Sequence, residues 1–483
     1  MSSNPSADSV SGISLLESLI PIVVLVALLA LNVVLYGDGA LAGSNQFVLL
    51  LGGFVAALVG FRRKIPFKLM MEKVSENVQS TTSALLILLM VGALSGTWLI
   101  SGIIPSMIYY GLQMLNPTIF LAACVLICSV ISVATGSSWT TSATVGIALI
   151  GIGDALGISM GMTAGAILSG AYFGDKLSPL SDTTNLAPAM AGGELFDHIK
   201  YMLWTTIPTY IITLIVFVIL GLNIEVTALD QTQEMLQQLK STFDISPWLF
   251  LVPLAVVLMI VKKTPPLIAL LIGTLLGGVF ALIFQPEVVM GITGAQEFTP
   301  AAAYQGIMDA ITIQVSVPSS HPILSDLFQS KGMFGMLGTI WLIVCAMVFG
   351  GIMDGIGALS RLSQALLSIA KTTFGLFAST VASCLALNLT ASDQYISIVV
   401  PGKMFSKAYK DKGLAPENLS RTLEDSGTVT SVLVPWNTCG AYHSGVLGVP
   451  VASYFVYAIF NWLSPITTLV FAGFSIKIKQ LKG

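Results

Sequence analysis

Four aspartates interrupt apolar stretches of this chain, at positions 175, 182, 393 and 425. A carboxylate in apolar surroundings is unfavourable unless it holds a proton, binds a cation or accepts hydrogen bonds. Serine, threonine and asparagine residues lie near the four aspartates in the sequence. Carboxylate, hydroxyl and carbonyl oxygens are the ligands that hard cations such as Na⁺ prefer. The pattern therefore predicts sites for protons and small cations.

The polar residues are concentrated in four short breaks, which read TGSSWTTS, GDKLSPLSDTTN, NLTASDQ and EDSGTVTSVLVPWNTCGAYHSG in chain order. Unwound backbone at membrane depth is tolerated where it is buried in protein or lines a wet cavity. Half-helix ends at such breaks add free carbonyl groups and a favourable dipole. The residues predicted to bind cations or protons are Asp393, Asp175, Asp182, Asp425, Ser137, Ser138, Thr140, Thr141, Thr390, Ser392, Thr428, Asn437 and Thr438.

Asp393 is the first choice among them, because no basic residue lies between Lys371 and Lys403 to neutralise it. A buried carboxyl group without a cationic partner tends to keep its proton. We expect Asp393 to hold a proton when the site is empty and to release it when Na⁺ arrives, so that one group serves both ions. The alternative is that Asp393 only caps the helix that follows it.

Two basic residues also fall within apolar spans. Lys176 could bind a substrate carboxylate, or it could simply neutralise Asp175 beside it. Arg421 can reach Glu424 or Asp425 at helical spacing, which predicts a structural ion pair, with a substrate carboxylate as the alternative. Because both basic residues have acids beside them, the sequence favours bare ions over organic anions as substrates. His443, which lies in the last break, is a candidate proton relay.

Membrane helices must position these residues. The chain has 483 residues, of which 55% are hydrophobic and 9% charged, whereas soluble domains average about 25% charged residues. The composition predicts an all-α polytopic membrane protein in contact with lipid. A net charge of −3 with scattered basic residues excludes a nucleic-acid partner. The five cysteines show neither zinc spacing nor a disulfide framework, and we expect no cofactor.

Ten segments have the length and hydropathy of membrane crossings. Basic residues mark cytoplasmic loops, and their distribution places both termini in the cytoplasm. Two further apolar stretches, 117–155 and 373–407, are interrupted in the middle and are predicted to be re-entrant hairpins. The ten predicted crossings are 16–36, 46–61, 83–104, 158–193, 200–222, 247–261, 265–285, 334–356, 415–447 and 450–475.

The order of these segments predicts an internal repeat. The first repeat covers 14–222 and includes a broken helix at 158–193, and the second covers 247–476 and includes a broken helix at 415–447. An external linker, 223–246, joins them. Each repeat contains five of the ten predicted crossings. Because five is an odd number, the second repeat begins on the opposite side of the membrane and must be inverted relative to the first. Inverted repeats with interrupted helices in matching positions indicate a secondary transporter with its site near the midplane.

Other classes of membrane protein fit less well. GIGD at 151–154 matches a motif of intramembrane aspartyl proteases, but the YD partner motif is missing from the sequence. A channel is disfavoured because hairpins from opposite faces form a closed midplane site. The sequence therefore predicts a transporter and not an enzyme.

The four breaks also carry a family resemblance. ATGSSWTTSATVGIALIGIG, GAYFGDKLSPLSDTTNLAPA, ASDQYISIVVPGKMF and LSRTLEDSGTVTSVLVPWNTCGAYHSGVLGVP resemble the NhaC family of bacterial sodium/proton antiporters, and the match extends from about residue 14 to 475. The resemblance implies exchange of Na⁺ for H⁺ across the cytoplasmic (inner) membrane by alternating access, with the polar residues named above as the ion site.

It also implies a transport domain of hairpins and broken helices that moves as an elevator against a scaffold. The NhaC family is similar to members of the ion-transporter superfamily, which often form homodimers through scaffold helices. Similar family members exchange malate and lactate with Na⁺ and H⁺, or carry amino acids. A small carboxylate therefore remains an alternative substrate.

Overall fold

The computed structural model describes residues 12–36, 40, 43–114, 116–224, 229–319 and 322–481. The described chain is mostly helical, with one short antiparallel pair of strands, β1 (Val315–Ser316) and β2 (Gln329–Ser330). Eight of its helices are long and apolar enough to cross a membrane, or nine if one bent pair is counted as a crossing. The prediction of a helical, multi-pass membrane protein is confirmed at this level.

The first half of the chain folds into eleven helices, followed by an amphipathic helix. A π-helical turn, Ser142–Gly146, joins α7 to α8. The helices are α1 (Leu15–Tyr36), α2 (Ser44–Arg62), α3 (Phe67–Ser80), α4 (Thr82–Ile100), α5 (Ile103–Met114), α6 (Pro117–Thr135), α7 (Ser138–Thr141), α8 (Ile147–Ala155), α9 (Met160–Leu177), α10 (Asp182–Ala191), α11 (Leu195–Leu222) and α12 (Leu229–Thr242).

The second half begins with a 3₁₀ turn, Pro247–Phe250, and contains a second π-helical turn, Glu424–Thr428, followed by a 3₁₀ turn, Ser431–Leu433. A further 3₁₀ turn, Met333–Met336, precedes α18. The helices are α13 (Leu251–Val261), α14 (Pro266–Phe284), α15 (Pro286–Thr293), α16 (Pro300–Thr312), α17 (Pro322–Leu327), α18 (Leu337–Gly355), α19 (Ala358–Ser368), α20 (Thr373–Thr390), α21 (Gln394–Asp411), α22 (Pro416–Leu423), α23 (Thr438–Leu447), α24 (Val451–Tyr454) and α25 (Ile459–Gly473).

The long helices do not match the ten predicted crossings one for one. The first arms of both predicted hairpins, α6 and α20, are themselves long enough to cross a membrane. The segment 450–475, predicted as one crossing, is divided between α24 and α25. There the freed carbonyl of Val456 accepts a hydrogen bond from the indole of Trp462 at 3.1 Å, which offsets the loss of a helical partner. The predicted linker 223–246 contains α12, and its residues 225–228 lie outside the described chain.

Each of the four polar breaks separates two helices and ends in a side-chain cap. Ser137 and Ser181 accept from the backbone N–H two to three residues into α7 and α10, and Asp393 and Asn437 do the same for α21 and α23. A cap satisfies an N–H group that has no partner within its helix. Each predicted range, 117–155, 158–193, 373–407 and 415–447, contains one such break, although α21 continues to Asp411.

Two glycines let the first hairpin and the first broken helix lie against each other. A Cβ atom at Gly170 would lie 2.2 Å from the carbonyl oxygen of Val125, and one at Gly174 would lie 2.5 Å from that of Ser129. Both distances are too short for any side chain. Helix α9 therefore packs closely on α6, and its last turn carries Asp175 to the break between α6 and α7.

The C-terminal tail is attached to the start of α22. The backbone N–H of Ala415 donates to the carbonyl of Lys479 at 3.0 Å, and that of Leu481 donates to the carbonyl of Gly413 at 2.8 Å. Lys479 also forms an ion pair with Glu417 at 2.6 Å, and this hydrogen bond raises the pKa of Lys479. These contacts fix the entry of the chain into the second broken helix.

Candidate functional site

The four breaks meet around one cavity of about 500 Å³. Its lining includes the first turns of α7, α10, α21 and α23, together with the last turn of α9. The loops before α4 and α14 form the remainder of its wall. Six of the residues predicted to bind ions lie in this lining: Asp175, Asp182, Asp393, Ser137, Thr140 and Thr438.

Asp175 joins the first broken helix to the first hairpin. Its Oδ2 accepts a hydrogen bond from the backbone N–H of Ser138 at 3.1 Å and from the Ser138 hydroxyl at 2.7 Å. The side chain is buried, and it reaches the cavity wall. The suggestion that Asp175 is neutralised by Lys176 is wrong, because adjacent helical residues point in different directions and Lys176 pairs elsewhere.

Asp393 both caps a helix and lines the cavity. Its Oδ1 accepts from the backbone N–H of Ile396 at 3.0 Å, as an N-cap residue does. The residue is 3% exposed, and no lysine, arginine or histidine within the described ranges forms an ion pair with it. The two roles predicted for Asp393 are therefore compatible, since a carboxylate has a second oxygen that can bind a cation.

Asp182 differs from these two carboxylates because its side chain is exposed. It is the first residue of α10, where the helix dipole favours a negative charge. Asp182 therefore adds charge to the cavity wall at lower desolvation cost than Asp175 or Asp393.

The electrostatic character of the cavity follows from these groups. Three carboxylates line it, and Lys263 is the only basic residue that the described part of the chain contributes to its wall. Four helix N-termini also meet here, and each carries a partial positive charge. Three of these N-termini have a carboxylate beside them, which offsets the partial charge. Asp175 accepts from the first N–H of α7, Asp182 is the first residue of α10, and Asp393 caps α21. The wall therefore combines three carboxylates, one lysine and four helix N-termini around a single cavity.

The other predicted ligands lie outside this lining. The hydroxyl of Thr141 donates to the carbonyl of Ser137 at 2.9 Å, and that of Thr390 donates to the carbonyl of Ala386 at 2.8 Å. Asn437 caps α23 and donates to Asn388. The hydroxyls of Ser392 and Thr428 are buried and have no hydrogen-bond partner among the described residues. Ser138 is used by Asp175, as described above.

Asp425 lies in a separate buried cluster. It forms an ion pair with Lys176, and it accepts hydrogen bonds from Thr205 at 2.9 Å and from Thr468. Ser464 completes the cluster, with its hydroxyl 3.3 Å from Asp425 Oδ1. The cluster links α9, α11, α25 and the π turn, so it joins the two halves of the chain.

The predicted ion pair between Arg421 and an acidic neighbour is wrong. The π turn that begins at Glu424 changes the angular spacing of the helix, so residues four apart no longer share a face. Arg421 instead lies over the ring of Tyr201, 4.5 Å from its centroid. Its guanidinium nitrogens and both carboxylate oxygens of Glu424 are buried without hydrogen-bond partners in the parts of the chain that the structure describes.

His443 lies among aromatic rings. The ring of Tyr442 is 5.2 Å away, that of Tyr172 is 5.5 Å away and that of Trp139 is 6.3 Å away. Neither imidazole nitrogen has a hydrogen-bond partner in the described chain. The predicted proton relay thus lacks a hydrogen-bonded neighbour to receive the proton. Trp139 itself lines the cavity and stacks on Tyr442 at 4.0 Å between ring centroids.

Several residues of both sites were missed by the sequence reasoning. Four of them line the cavity, in or next to breaks that contain predicted ion ligands: Ser181, Thr183, Gln394 and Tyr395. Around Asp425, the missed hydroxyls come from TTIPT in α11 and SPITT in α25. Paired hydroxyl residues beside a proline, at matching places in the two closing helices, were the available signal.

The sequence of the chain is similar to those of known antiporters. Residues 170–476 match the model of the Na⁺/H⁺ antiporter family. An uncharacterized Na⁺/H⁺ antiporter of Haemophilus influenzae is 35% identical over 97% of each chain. The Na⁺/H⁺ antiporter NhaC of Alkalihalophilus pseudofirmus is 35% identical over 88% of this chain and 89% of its own. The malate-2H⁺/Na⁺-lactate antiporter of Bacillus subtilis is 38% identical over 87% and 86%.

Proposed function

The chain belongs to the Na⁺/H⁺ antiporter family, and we propose that it exchanges Na⁺ for H⁺ across the bacterial cytoplasmic membrane by alternating access. The observation that carries the proposal is the meeting of Asp175, Asp182 and Asp393 in one cavity. Two of these carboxylates are buried, and the hydroxyls of Ser137, Thr140 and Thr438 lie in the same wall.

The same oxygens serve both ions in this mechanism. Na⁺ binds to Asp393 and Asp175 with hydroxyl oxygens completing its coordination, and protons bind to the carboxylates when Na⁺ leaves. Because one buried carboxylate cannot hold both ions at once, binding of Na⁺ expels a proton. This competition couples the two fluxes without any further machinery.

The cavity opens toward the cytoplasm in the proposed topology. Part of its lining comes from Ser80 and Thr81 and from the loop that contains Lys263. Basic residues in loops mark the cytoplasmic side. Trp139 lines the cavity and stacks on Tyr442, and we propose that this pair forms the barrier on the external side. We assign this conformation to the inward-facing state, with both termini in the cytoplasm.

The proposed architecture is two inverted repeats with re-entrant hairpins. Both halves contain the same order of elements, from α6 to α10 and from α20 to α23. In each, a helix, a break and a second helix are followed by another helix, a break and a last helix. These elements form the proposed transport domain, which moves as an elevator against the remaining helices. Scaffold helices with exposed apolar faces, such as α2 and α14, are the proposed contact of a homodimer.

A second candidate is a transporter or exchanger of small organic acids or amino acids, coupled to Na⁺ and H⁺. A cavity of about 500 Å³ is far larger than one Na⁺ and lies within the usual range of small-molecule sites, which is roughly 300 to 1,000 Å³. The malate and lactate antiporter among the relatives supports this candidate. The three carboxylates and single lysine of the wall favour the bare cation.

Counterflow in proteoliposomes distinguishes the two candidates. Na⁺, malate, lactate and amino acids are offered in turn against an outward proton gradient, and proton movement is followed with a pH-sensitive dye. The first proposal expects proton movement with Na⁺ alone. If protons moved only when an organic substrate was present, Na⁺/H⁺ exchange would be rejected in favour of organic acid or amino acid transport.

A further inference from the structure

The ammonium group of Lys176 occupies a buried cluster of oxygens. It contacts the carboxylate of Asp425 and lies 3.3 Å from the hydroxyl oxygen of Ser464. The other carboxylate oxygen of Asp425 accepts from Thr205 and Thr468. These five side chains are at most 1% exposed. The ammonium also lies over the ring of Phe460, 5.6 Å from its centroid.

These oxygens have the chemistry of a binding site for a monovalent metal cation. One carboxylate and neutral hydroxyls are hard ligands that carry a single negative charge in total. Thr205 and Thr468 direct their protons to Oδ2 of Asp425, which leaves Oδ1 and the oxygen of Ser464 toward the ammonium. A lysine ammonium is a compact point charge of the same sign and size of charge as Na⁺.

We propose that Asp425, Ser464, Thr205 and Thr468 form a second cation site, in which the ammonium of Lys176 replaces a transported ion. The identity of the ion as Na⁺ rests on the proposed function. In the conformation described, Lys176 neutralises Asp425 and no ion is needed. When Lys176 withdraws, Na⁺ binds in its place, so that the buried carboxylate is not left without a positive charge.

The position of Lys176 connects this second site to the cavity. Lys176 follows Asp175 in the last turn of α9, and Asp175 lines the cavity and binds Ser138. Because the two residues are consecutive, a movement of the helix end that carries Asp175 also moves the backbone of Lys176. Beside Asp425 in the same π turn, the side-chain oxygens of Glu424 and Thr428 lack hydrogen-bond partners in the described chain.

The test compares Na⁺ binding among variants that carry the same change in the cavity, so that any Na⁺ still bound there is counted equally in each. In an Asp393→Asn background, purified protein in nanodiscs is titrated with ²²Na⁺ before and after the change Lys176→Ala. We expect Lys176→Ala to add one bound Na⁺ per chain. Thermal unfolding of the same protein should then shift upward by several degrees with Na⁺ but not with choline. The matched control is Asp393→Asn with Lys176→Ala and Asp425→Asn, in which the added Na⁺ should disappear.

Unchanged Na⁺ binding after loss of the ammonium would show that Lys176 and Asp425 are a structural pair, and it would overturn the inference. Lys176→Gln provides the same comparison if Lys176→Ala does not fold. The result is independent of transport. If wild-type protein moved no protons with Na⁺ while Lys176→Ala gained a Na⁺ site, the proposed exchange would fail and the second site would stand.

Discussion

Asp175 and Ser138 are joined by two hydrogen bonds, from the backbone N–H at 3.1 Å and from the hydroxyl at 2.7 Å. The contact links the last turn of α9 to the first residue of α7, 37 residues earlier in the chain. A carboxylate that already accepts two donors is held in one orientation. An ion that binds Asp175 therefore meets a side chain that is already ordered, so the further loss of side-chain entropy is small.

Replacing Asp175 should weaken transport more than replacing Asp182. Asp175→Asn removes a buried negative charge that accepts two hydrogen bonds, whereas Asp182 is exposed and its charge is screened by water. A unit charge about 4 Å from a cation contributes roughly 4 kcal/mol at an effective dielectric constant of about 20, so the apparent Na⁺ affinity of Asp175→Asn should fall by at least about tenfold. Asp182→Asn should show a smaller decrease. Na⁺-dependent proton flux checks both, and wild-type behaviour of both would remove this break from the site.

Asp393→Asn should abolish Na⁺-driven proton movement. Asparagine keeps the shape and one oxygen ligand but cannot bind a proton. In the wild type, protons and Na⁺ compete for this carboxylate, so lowering the pH should weaken apparent Na⁺ affinity, by up to about tenfold per pH unit. Raising the pH should strengthen it to a plateau. Proteoliposome flux across a pH series tests the pattern, and exchange by Asp393→Asn with an unchanged pH profile would transfer the role to another carboxylate.

The proposed topology predicts which side of the membrane each loop faces. Single cysteines at Gly43 and Gln237 should react with impermeant maleimide added outside intact cells, whereas those at Lys263 and Lys410 should not. The five native cysteines are buried and are replaced first. Labelling of Lys410 from outside would mean that the two halves are not inverted.

Trp139→Ala should make the transporter leak. Its ring lines the cavity and stacks on Tyr442, in the pair proposed as the external barrier. Without it, we expect ²²Na⁺ uptake that no longer requires a proton gradient. Trp248→Ala is the matched control, because Trp248 is 65% exposed and remote from the cavity lining. Tightly coupled flux in Trp139→Ala would show that other groups form the closure.

Arg421→Met distinguishes the two substrate classes. If the protein exchanges bare ions, the variant should retain Na⁺/H⁺ exchange, since the guanidinium has no hydrogen-bond partner in the described chain. Its unfolding temperature should equal or exceed that of the wild type. Asp425→Asn should instead lose about 3–5 kcal/mol of stability, because it leaves Lys176 buried without a counter-charge. Loss of exchange in Arg421→Met, with normal folding, would point to a substrate carboxylate.

The sequence predicted the positions of the four breaks well because local composition determines where helices end. TGSSWTTS and NLTASDQ interrupt apolar runs, and Ser137 and Asp393 cap the helices that follow. The partners of charged residues were harder to predict. Arg421 was expected to pair with an acid three or four residues away, but the π turn altered the spacing, and Asp425 pairs with Lys176, 249 positions away in the chain. Such long-range pairing depends on packing, which local spacing does not encode.

The close contact of Gly170 and Gly174 with α6 has a thermodynamic consequence. Because no side chain separates the two helices, Asp175 on one and Ser138 beyond the end of the other must keep their relative positions if this unit moves. Asp175 and Ser138 then reach an ion as one rigid pair whichever side of the membrane the cavity faces. An exchanger of this kind is reversible, and the Na⁺ and proton gradients alone decide which ion leaves the cell.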